Sequence, residues 1–292
     1  MSIHLVVGAS GQVGEHLVRA ALNEGLKVVG TYYRNLVPGM QQLDICNAQD
    51  VRSLLLKLRP TIVYLPASFV NVDYCELQPA VGYVTNVLGI SNVVQAAKDI
   101  QAKLIYFSSD YVFDGKAGPY RETDPTNPLC EYGRQKLMAE HYVALHSHDY
   151  LIVRTTVVYG WELQRKNFVY RLLKTLKAGQ SLKVPVDQIG SPTYAPNLAQ
   201  AVVKLALSNL KGLYHIVGAE RVNRYEFACE AAKVFRLNPG LIQSVATSEL
   251  GQPAPRPLNA GMLIDKVAAQ VPVPLIGYRE GLTVMASEGE FK

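Results

Sequence analysis

The sequence predicts an α/β fold: a doubly wound parallel sheet followed by a smaller, irregular α+β C-terminal lobe. Three observations carry this. Short apolar runs alternate with longer amphipathic stretches through the first 155 residues. The runs are apolar throughout rather than alternating with polar residues, as strands covered on both faces require. A glycine-rich turn, "GASGQVG", follows the first run directly.

In order, "IHLVV" (3–7) reads as the first strand and residues 11–24 as a helix. "KVVGTYY" (27–33) and "QQLDI" (41–45) follow as strands, then a helix through "AQDVRSLLLKL". "TIVYL" (61–65), "KLIYFS" (103–108) and "YLIVRTT" (150–156) bring the strands to six. The intervening "AVGYVTNVLGISNVVQAAKDI" and "EYGRQKLMAEHYVALHS" have helical periodicity. Right-handed crossovers then give a parallel sheet. Beyond residue 160 Pro and Gly interrupt the pattern, at "VPVDQIGSPTYAP" and "GQPAPRPLNAGM". The expected division is a cofactor domain over 1–160 and a substrate lobe over 161–292, with some C-terminal elements returning to the first domain.

Composition narrows the function. The 292 residues are 49% hydrophobic and 18% charged, ordinary for a soluble enzyme. The net charge of +5 is spread along the chain, with no Lys/Arg run to bind nucleic acid. It suits anionic small molecules. The four cysteines form no C-x-x-C pair, so neither a metal cluster nor a disulfide framework is expected. They read as reduced thiols of a cytoplasmic protein. No positive segment precedes the first apolar run, which argues against a signal peptide, and no run nears the length of a membrane span.

Gly8, Gly11 and Gly14 form a G-x-x-G-x-x-G turn after the first strand, which makes the domain Rossmann-type. Such a turn brings backbone close to a pyrophosphate at a helix N-terminus. Ser10, Gln12 and Val13 belong to the same cradle. The second strand ends "GTYYRN", with no acid for a ribose hydroxyl. Arg34, beside Tyr33, instead suits a 2′-phosphate, which favours NADPH over NADH. Asp44 and Ile45 are placed to frame the adenine.

In "EYGRQK", Tyr132 and Lys136 stand four apart and share a helix face. An ammonium beside a phenol favours phenolate. A drop of about three units, roughly 4 kcal/mol, would make the phenol usable near neutral pH.

The order G-x-x-G-x-x-G, "FSSDYVFDG", Y-x-x-x-K resembles an extended short-chain dehydrogenase/reductase. "SSDYVFDGKAGPYRETDPTNPLCEYGRQKLMAE", "VDYCELQPAVGYVTNV", "DQIGSPTYAPNLA" and "RPLNAGML" resemble the dTDP-4-dehydrorhamnose reductase family in particular, across nearly the whole chain. The resemblance implies NADPH-dependent reduction of a nucleotide-linked 4-keto sugar. It implies Tyr132 as general acid, Lys136 as the group that lowers its pKa and holds the nicotinamide ribose, and Ser109 as the hydroxyl orienting the carbonyl. Ser108 competes for that last role or touches the cofactor. Asn86 is implied to support the lysine through water. The fourth strand ends "LPAS" where the family commonly has "NAAA"; Pro66 lacks a donor, while Ala67 and Ser68 remain cofactor contacts. Val70, Asp110, Tyr111, Val158, Tyr159, Asn167 and Arg256 are implied on the substrate side, Arg256 against the diphosphate. Dehydratases of the wider family carry Asp-Glu after the hydroxyl; here Asp110 is followed by Tyr111, which favours plain reduction. Two alternatives stay open. The pattern also resembles the NADP-binding regulatory β subunit of methionine adenosyltransferase, and epimerases share the Tyr/Lys pair. No metal is expected, and a homodimer is an open expectation.

Overall fold

The computed structural model describes residues 2–289. The six expected runs all form strands: β1 (Ile3–Val6), β2 (Lys27–Tyr32), β3 (Gln41–Gln42), β4 (Ile62–Leu65), β5 (Lys103–Ser109) and β6 (Tyr150–Thr155). The third is shorter than expected, two residues instead of five. Later in the chain come β7 (Val158–Tyr159), β8 (Leu182–Pro185), β9 (Ile189–Gly190), β10 (Thr193–Tyr194), β11 (Gly212–His215), β12 (Val222–Asn223) and β13 (Ile242–Val245).

The central sheet has seven parallel strands in the order β11-β6-β5-β4-β1-β2-β3. The seventh strand, β11, comes from beyond residue 160 and covers the free edge of β6. The strand order reverses between β1 and β4. That is the switch point where open α/β sheets leave a crevice outside the strand carboxyl ends.

The helices are α1 (Gln12–Asn23), α2 (Ala48–Leu58), α3 (Val72–Leu77), α4 (Pro79–Tyr83), α5 (Ile90–Asp99), α6 (Glu131–His146), α7 (Phe168–Lys177), α8 (Ala195–Leu207), α9 (Arg224–Val234), α10 (Asp265–Ala268) and α11 (Tyr278–Glu288). Successive strand residues point to opposite faces, and both faces are covered. Val6, Tyr64, Ile105, Phe107 and Val153 pack against Leu17 and Ala21 of α1 and Leu198 and Val202 of α8. Leu5, Val63, Leu65, Leu104, Tyr106 and Ile152 meet Leu55 of α2, Val93 of α5 and Ala139 and Val143 of α6. This two-sided burial is why the strands read as continuous apolar runs. The C-terminal lobe has its own core, including Trp161, Leu172, Phe227 and Leu282. Among the described residues no helix is long and apolar enough to cross a membrane.

Between α4 and α5 the helix does not stop. Residues Val84–Gly89 make a π-helical turn, a device found mostly at functional sites. It carries Asn86.

One buried ion pair ties α6 to the sheet. Arg154 of β6 reaches Glu140 with Nε–Oε1 at 2.8 Å and Nη2–Oε2 at 2.7 Å, both side chains almost wholly buried. Arg154→Met would leave Glu140 buried and unpaired, at about 3–5 kcal/mol. Lys204–Glu24, a similar pair on the surface, is worth about 1 kcal/mol or less. Urea unfolding should therefore show a large loss for Arg154→Met and almost none for Lys204→Met; equal losses would contradict this.

Candidate active site

The phosphate turn sits at the end of β1. Gly8 adopts φ +91, where glycine alone is relaxed, and its N–H donates to Thr31 Oγ1 at 3.1 Å. A Cβ on Gly14 would overlap the Gly8 carbonyl and lie 2.7 Å from Ala9 Cα. Gly11 differs. Its backbone is extended, and a Cβ there would meet only the Gly8 carbonyl, at 3.4 Å. Gly8 and Gly14 thus shape the turn, and Gly11 keeps clear the space in front of it. No side chain caps the start of α1, so its first N–H groups face that space. The Gln12 side-chain amide nitrogen is buried there without a partner among the described residues. Gln164, which the sequence reading did not single out, donates to the Ser10 carbonyl at 2.7 Å and fixes the turn from the C-terminal side. Val13 packs inward against the core.

Beyond β2, Arg34 is exposed, with its guanidinium carbon 5.0 Å from the Tyr33 ring centre. No carboxylate pairs with it among the described residues. Asp44 Oδ1 accepts from the Cys46 N–H at 2.9 Å, and Ile45 is buried below Gly89. After β4, Pro66 offers no N–H, and the Ala67 N–H is spent on the Val7 carbonyl at 3.1 Å. Ser68 is half-buried and polar, facing Lys136.

The structure brings Tyr132, Lys136 and Ser109 together at the carboxyl ends of β4 and β5. Lys136 is 3% exposed, and its Nζ donates to the Phe107 carbonyl at 2.7 Å and Ser68 Oγ at 3.2 Å. Asn86 receives the Ser68 hydroxyl at 2.9 Å. A serine hydroxyl therefore stands between lysine and asparagine, where the resemblance implied water. Ser109 donates to Asp110 Oδ1 at 2.9 Å, and Thr156 donates to Oδ2 at 2.6 Å. Ser108 is buried, its hydroxyl without a partner among the described residues.

The electrostatics correct one expectation. The Tyr132 phenol is raised, not lowered. Burial is the main cause, followed by the charges of Asp110, Tyr111 and Cys75; the Ser109 hydroxyl pulls the other way. Lys136 is itself pushed down to about 7 by burial, against the opposing pull of Glu140 and Cys75. Its nitrogen lies 6.0 Å from the Tyr132 ring centre. Desolvation dominates both groups in this pocket. Asp110 is likewise pushed up to about 6 by burial, held back by the Thr156 and Ser109 hydroxyls.

The remaining residues divide. Tyr111 stands edge-on to Tyr132, ring centres 5.6 Å apart, and burial raises its phenol to about 12. Val70 is 69% exposed at the rim. Val158 is half-buried in β7. Val157 before it holds φ 42, a strained value for a β-branched residue, at the bend that carries Thr156 to Asp110. Tyr159 lies in the C-terminal core, its hydroxyl donating to the Tyr278 carbonyl at 3.1 Å. Asn167 caps α7: its Oδ1 accepts from the Tyr170 N–H, and its Nδ2 donates to the Gly160 carbonyl and Glu162. Those two side chains are spent within the protein. Arg256 is paired with Asp73 at 2.8 Å, its guanidinium 6.0 Å from the Tyr111 ring centre.

Sequence reasoning missed Arg224, the first residue of α9. It stacks 4.4 Å from the Phe168 ring centre. Burial lowers its pKa; Tyr111 and Asp110 support its charge, while Arg171 and Arg256 oppose it. Among the described residues it makes no ion pair. Nothing in the spacing around "VNRYEF" marks it.

A glycine turn at the switch point, with Ser109, Tyr132 and Lys136 beside it, defines a dinucleotide-dependent oxidoreductase of the extended short-chain dehydrogenase/reductase class. Residues 1–290 match the RmlD substrate binding domain, and the chain belongs to that family. It is 37% identical over 254 residues to the spore coat polysaccharide biosynthesis protein SpsK of Bacillus subtilis, covering 87% of this chain and 86% of that one. It is 32% identical over 276 residues to a dTDP-4-dehydrorhamnose reductase of Aggregatibacter actinomycetemcomitans, covering 90% and 91%. Methionine adenosyltransferase 2 subunit beta of Xenopus tropicalis is 29% identical over 289 residues, covering 95% and 86%. In three dimensions the chain superposes on a dTDP-4-dehydrorhamnose reductase from Bacillus anthracis in complex with NADP, with a TM-score of 0.91, 30% identity and coverage of 99% and 100%.

Gly11→Val tests the phosphate turn. The protein has room for the side chain and the backbone is already extended, so the variant should melt near the wild type. The valine would fill the phosphate space, and calorimetry should find NADPH binding lost. Unchanged affinity would show the turn to be misassigned.

Proposed function

We propose that this chain is a reductase that transfers hydride from NADPH to the carbonyl of a nucleotide-linked 4-keto sugar. The observation that carries it is the meeting of Tyr132, Lys136 and Ser109 beside an open glycine turn. The cofactor fits what is present: a cradle that a side chain at Gly11 would fill and, among the described residues, an unpartnered Gln12 amide nitrogen and an exposed Arg34 with no acid paired to it. NADPH, when bound, supplies the hydride.

The chain's own residues manage charge and proton. As negative charge grows on the substrate oxygen, Tyr132 gives it a proton. In the free protein burial raises this phenol and it carries its proton; a charged Lys136 beside it favours the phenolate that forms as the proton leaves. Ser109 turns its hydroxyl from Asp110 to the same oxygen and stabilises the charge. Lys136 is the cation beside the donor and binds the ribose. Arg224 and Arg256, both facing Tyr111, support an anionic substrate tail. Asp110 is tied to Ser109 and Thr156, with no glutamate after it, so a second acid for dehydration is missing. Arg34 speaks against the epimerase alternative, in which an acid would bind NAD.

NADPH oxidation followed at 340 nm against nucleotide-linked 4-keto sugars should find a substrate turned over. Tyr132→Phe should then lower kcat by about 10²–10⁴-fold while sparing NADPH affinity. A wild type that binds NADPH yet reduces none of the panel would favour the regulatory alternative.

Arg34→Ala should weaken NADPH by about tenfold or more and leave NADH nearly unchanged, since only the 2′-phosphate is lost to it. Equal weakening of both in calorimetric titrations would remove Arg34 from the cofactor site.

A further inference from the structure

Lys136 Nζ donates to two protein oxygens, the Phe107 carbonyl of β5 and the Ser68 hydroxyl after β4. Two strands therefore hold one ammonium. Ser68 is fixed from behind, its hydroxyl donating to Asn86 Oδ1 at 2.9 Å. The Asn86 amide cannot turn over. Its Oδ1 also accepts from the Phe69 N–H at 2.8 Å, and its Nδ2 donates to the Phe69 carbonyl and to Gln135 Oε1, both at 3.0 Å. Gln135 is 0% exposed on α6, between Tyr132 and Lys136, and its own Nε2 donates to the Pro79 carbonyl at 3.0 Å. The π-helical turn places Asn86 in this position. Gly82 lets the two helices approach, since a Cβ there would lie 2.7 Å from Gln135 Oε1.

This arrangement leaves Ser68 one role. Its proton is committed to Asn86, so toward Lys136 it can only accept. A water in the same place could rotate and donate; this hydroxyl cannot. We infer that Ser68 is a positioning residue, oriented by Asn86 and Gln135, that holds the Lys136 ammonium in its charged form and in register with Tyr132. The inference rests on the proposed reductase only through the role of Lys136 toward NADPH.

An acceptor-only partner stabilises the charged lysine against burial, the dominant force on it. The other groups facing the nitrogen are Glu140 on α6, itself paired with Arg154, Cys75 of α3, and the rings of Tyr106 and Tyr132 at 4.9 and 6.0 Å. None of them replaces the Ser68 contact. Without it, the charged form is lost at lower pH.

The test is NADPH affinity against pH, read by fluorescence titration, with folding checked by thermal melts. In the wild type, affinity should fall as pH rises through about 7, where the free lysine loses its proton. In Ser68→Ala the break should move down by about half to one unit, the worth of one hydrogen bond to a charge in part replaced by water. Ser68→Cys, nearly isosteric and a weak acceptor, should move with it. Ser68→Thr keeps the hydroxyl and should stay near the wild type. Breaks for the Ala and Cys variants that coincide with the wild type would overturn the inference, as would a Thr variant that shifts with them. Turnover is not read, so a wild type that binds NADPH but reduces no sugar defeats the proposed function and leaves this test intact.

Discussion

A buried ammonium is the constraint on which the site depends. Lys136 sits in the interior, where its charge persists only because acceptors are held against it. β4 leads to Ser68, β5 supplies the Phe107 carbonyl, and α6 supplies the lysine itself. The distances of the site are thus set by the packing of α6 on the sheet. The Arg154–Glu140 pair secures that packing one turn further along the helix. The same desolvation that weakens the charge on Lys136 raises the Tyr132 phenol and keeps it protonated. Burial thus keeps the phenol protonated in the free protein, and the Lys136 charge is what favours the phenolate once that proton is given up.

The sheet delivers the other parts to one edge. All seven strands are parallel, so the phosphate turn, Ser68, Ser109 and Thr156 emerge on the same side. The reversal of order between β1 and β4 opens the crevice there. The chain then crosses to build the opposite wall. Gln164 reaches back to the Ser10 carbonyl, and the Leu163 N–H donates to Glu15 of α1 at 3.1 Å. Arg224 faces Tyr111 and Asp110 from α9, a buried cation that makes no ion pair among the described residues.

What the sequence made legible follows from what is periodic or steric. Strands buried on both faces leave unbroken apolar runs, so all six N-terminal strands could be read. β11 could not: "GLYH" is four residues long and half polar. The glycine turn was visible because Gly8 and Gly14 are sterically compelled. Tyr132 and Lys136 were visible because four residues make one helix face. Burial was not visible, and it decides the sign of the Tyr132 shift. Tyr159 and Asn167 stand near the expected segment, but their hydrogen bonds go to the protein. The π-helical turn at Asn86 hides inside ordinary helical periodicity. Ser68 belongs to the "LPAS" departure; what read as a loss of detail supplies a ligand for the lysine.

The central claim is that burial, which lowers Lys136 to about 7, leaves it largely neutral in the free protein at about pH 8, and that the cofactor ribose beside it favours the charged form. Proton linkage measures this directly. Calorimetric titration with NADPH at about pH 8, repeated in buffers of different ionisation enthalpy, counts the protons exchanged on binding. With the free lysine near 7, the account predicts uptake of about one proton in the wild type and none in Lys136→Met. Normal NADPH binding by the wild type with no proton uptake would contradict it.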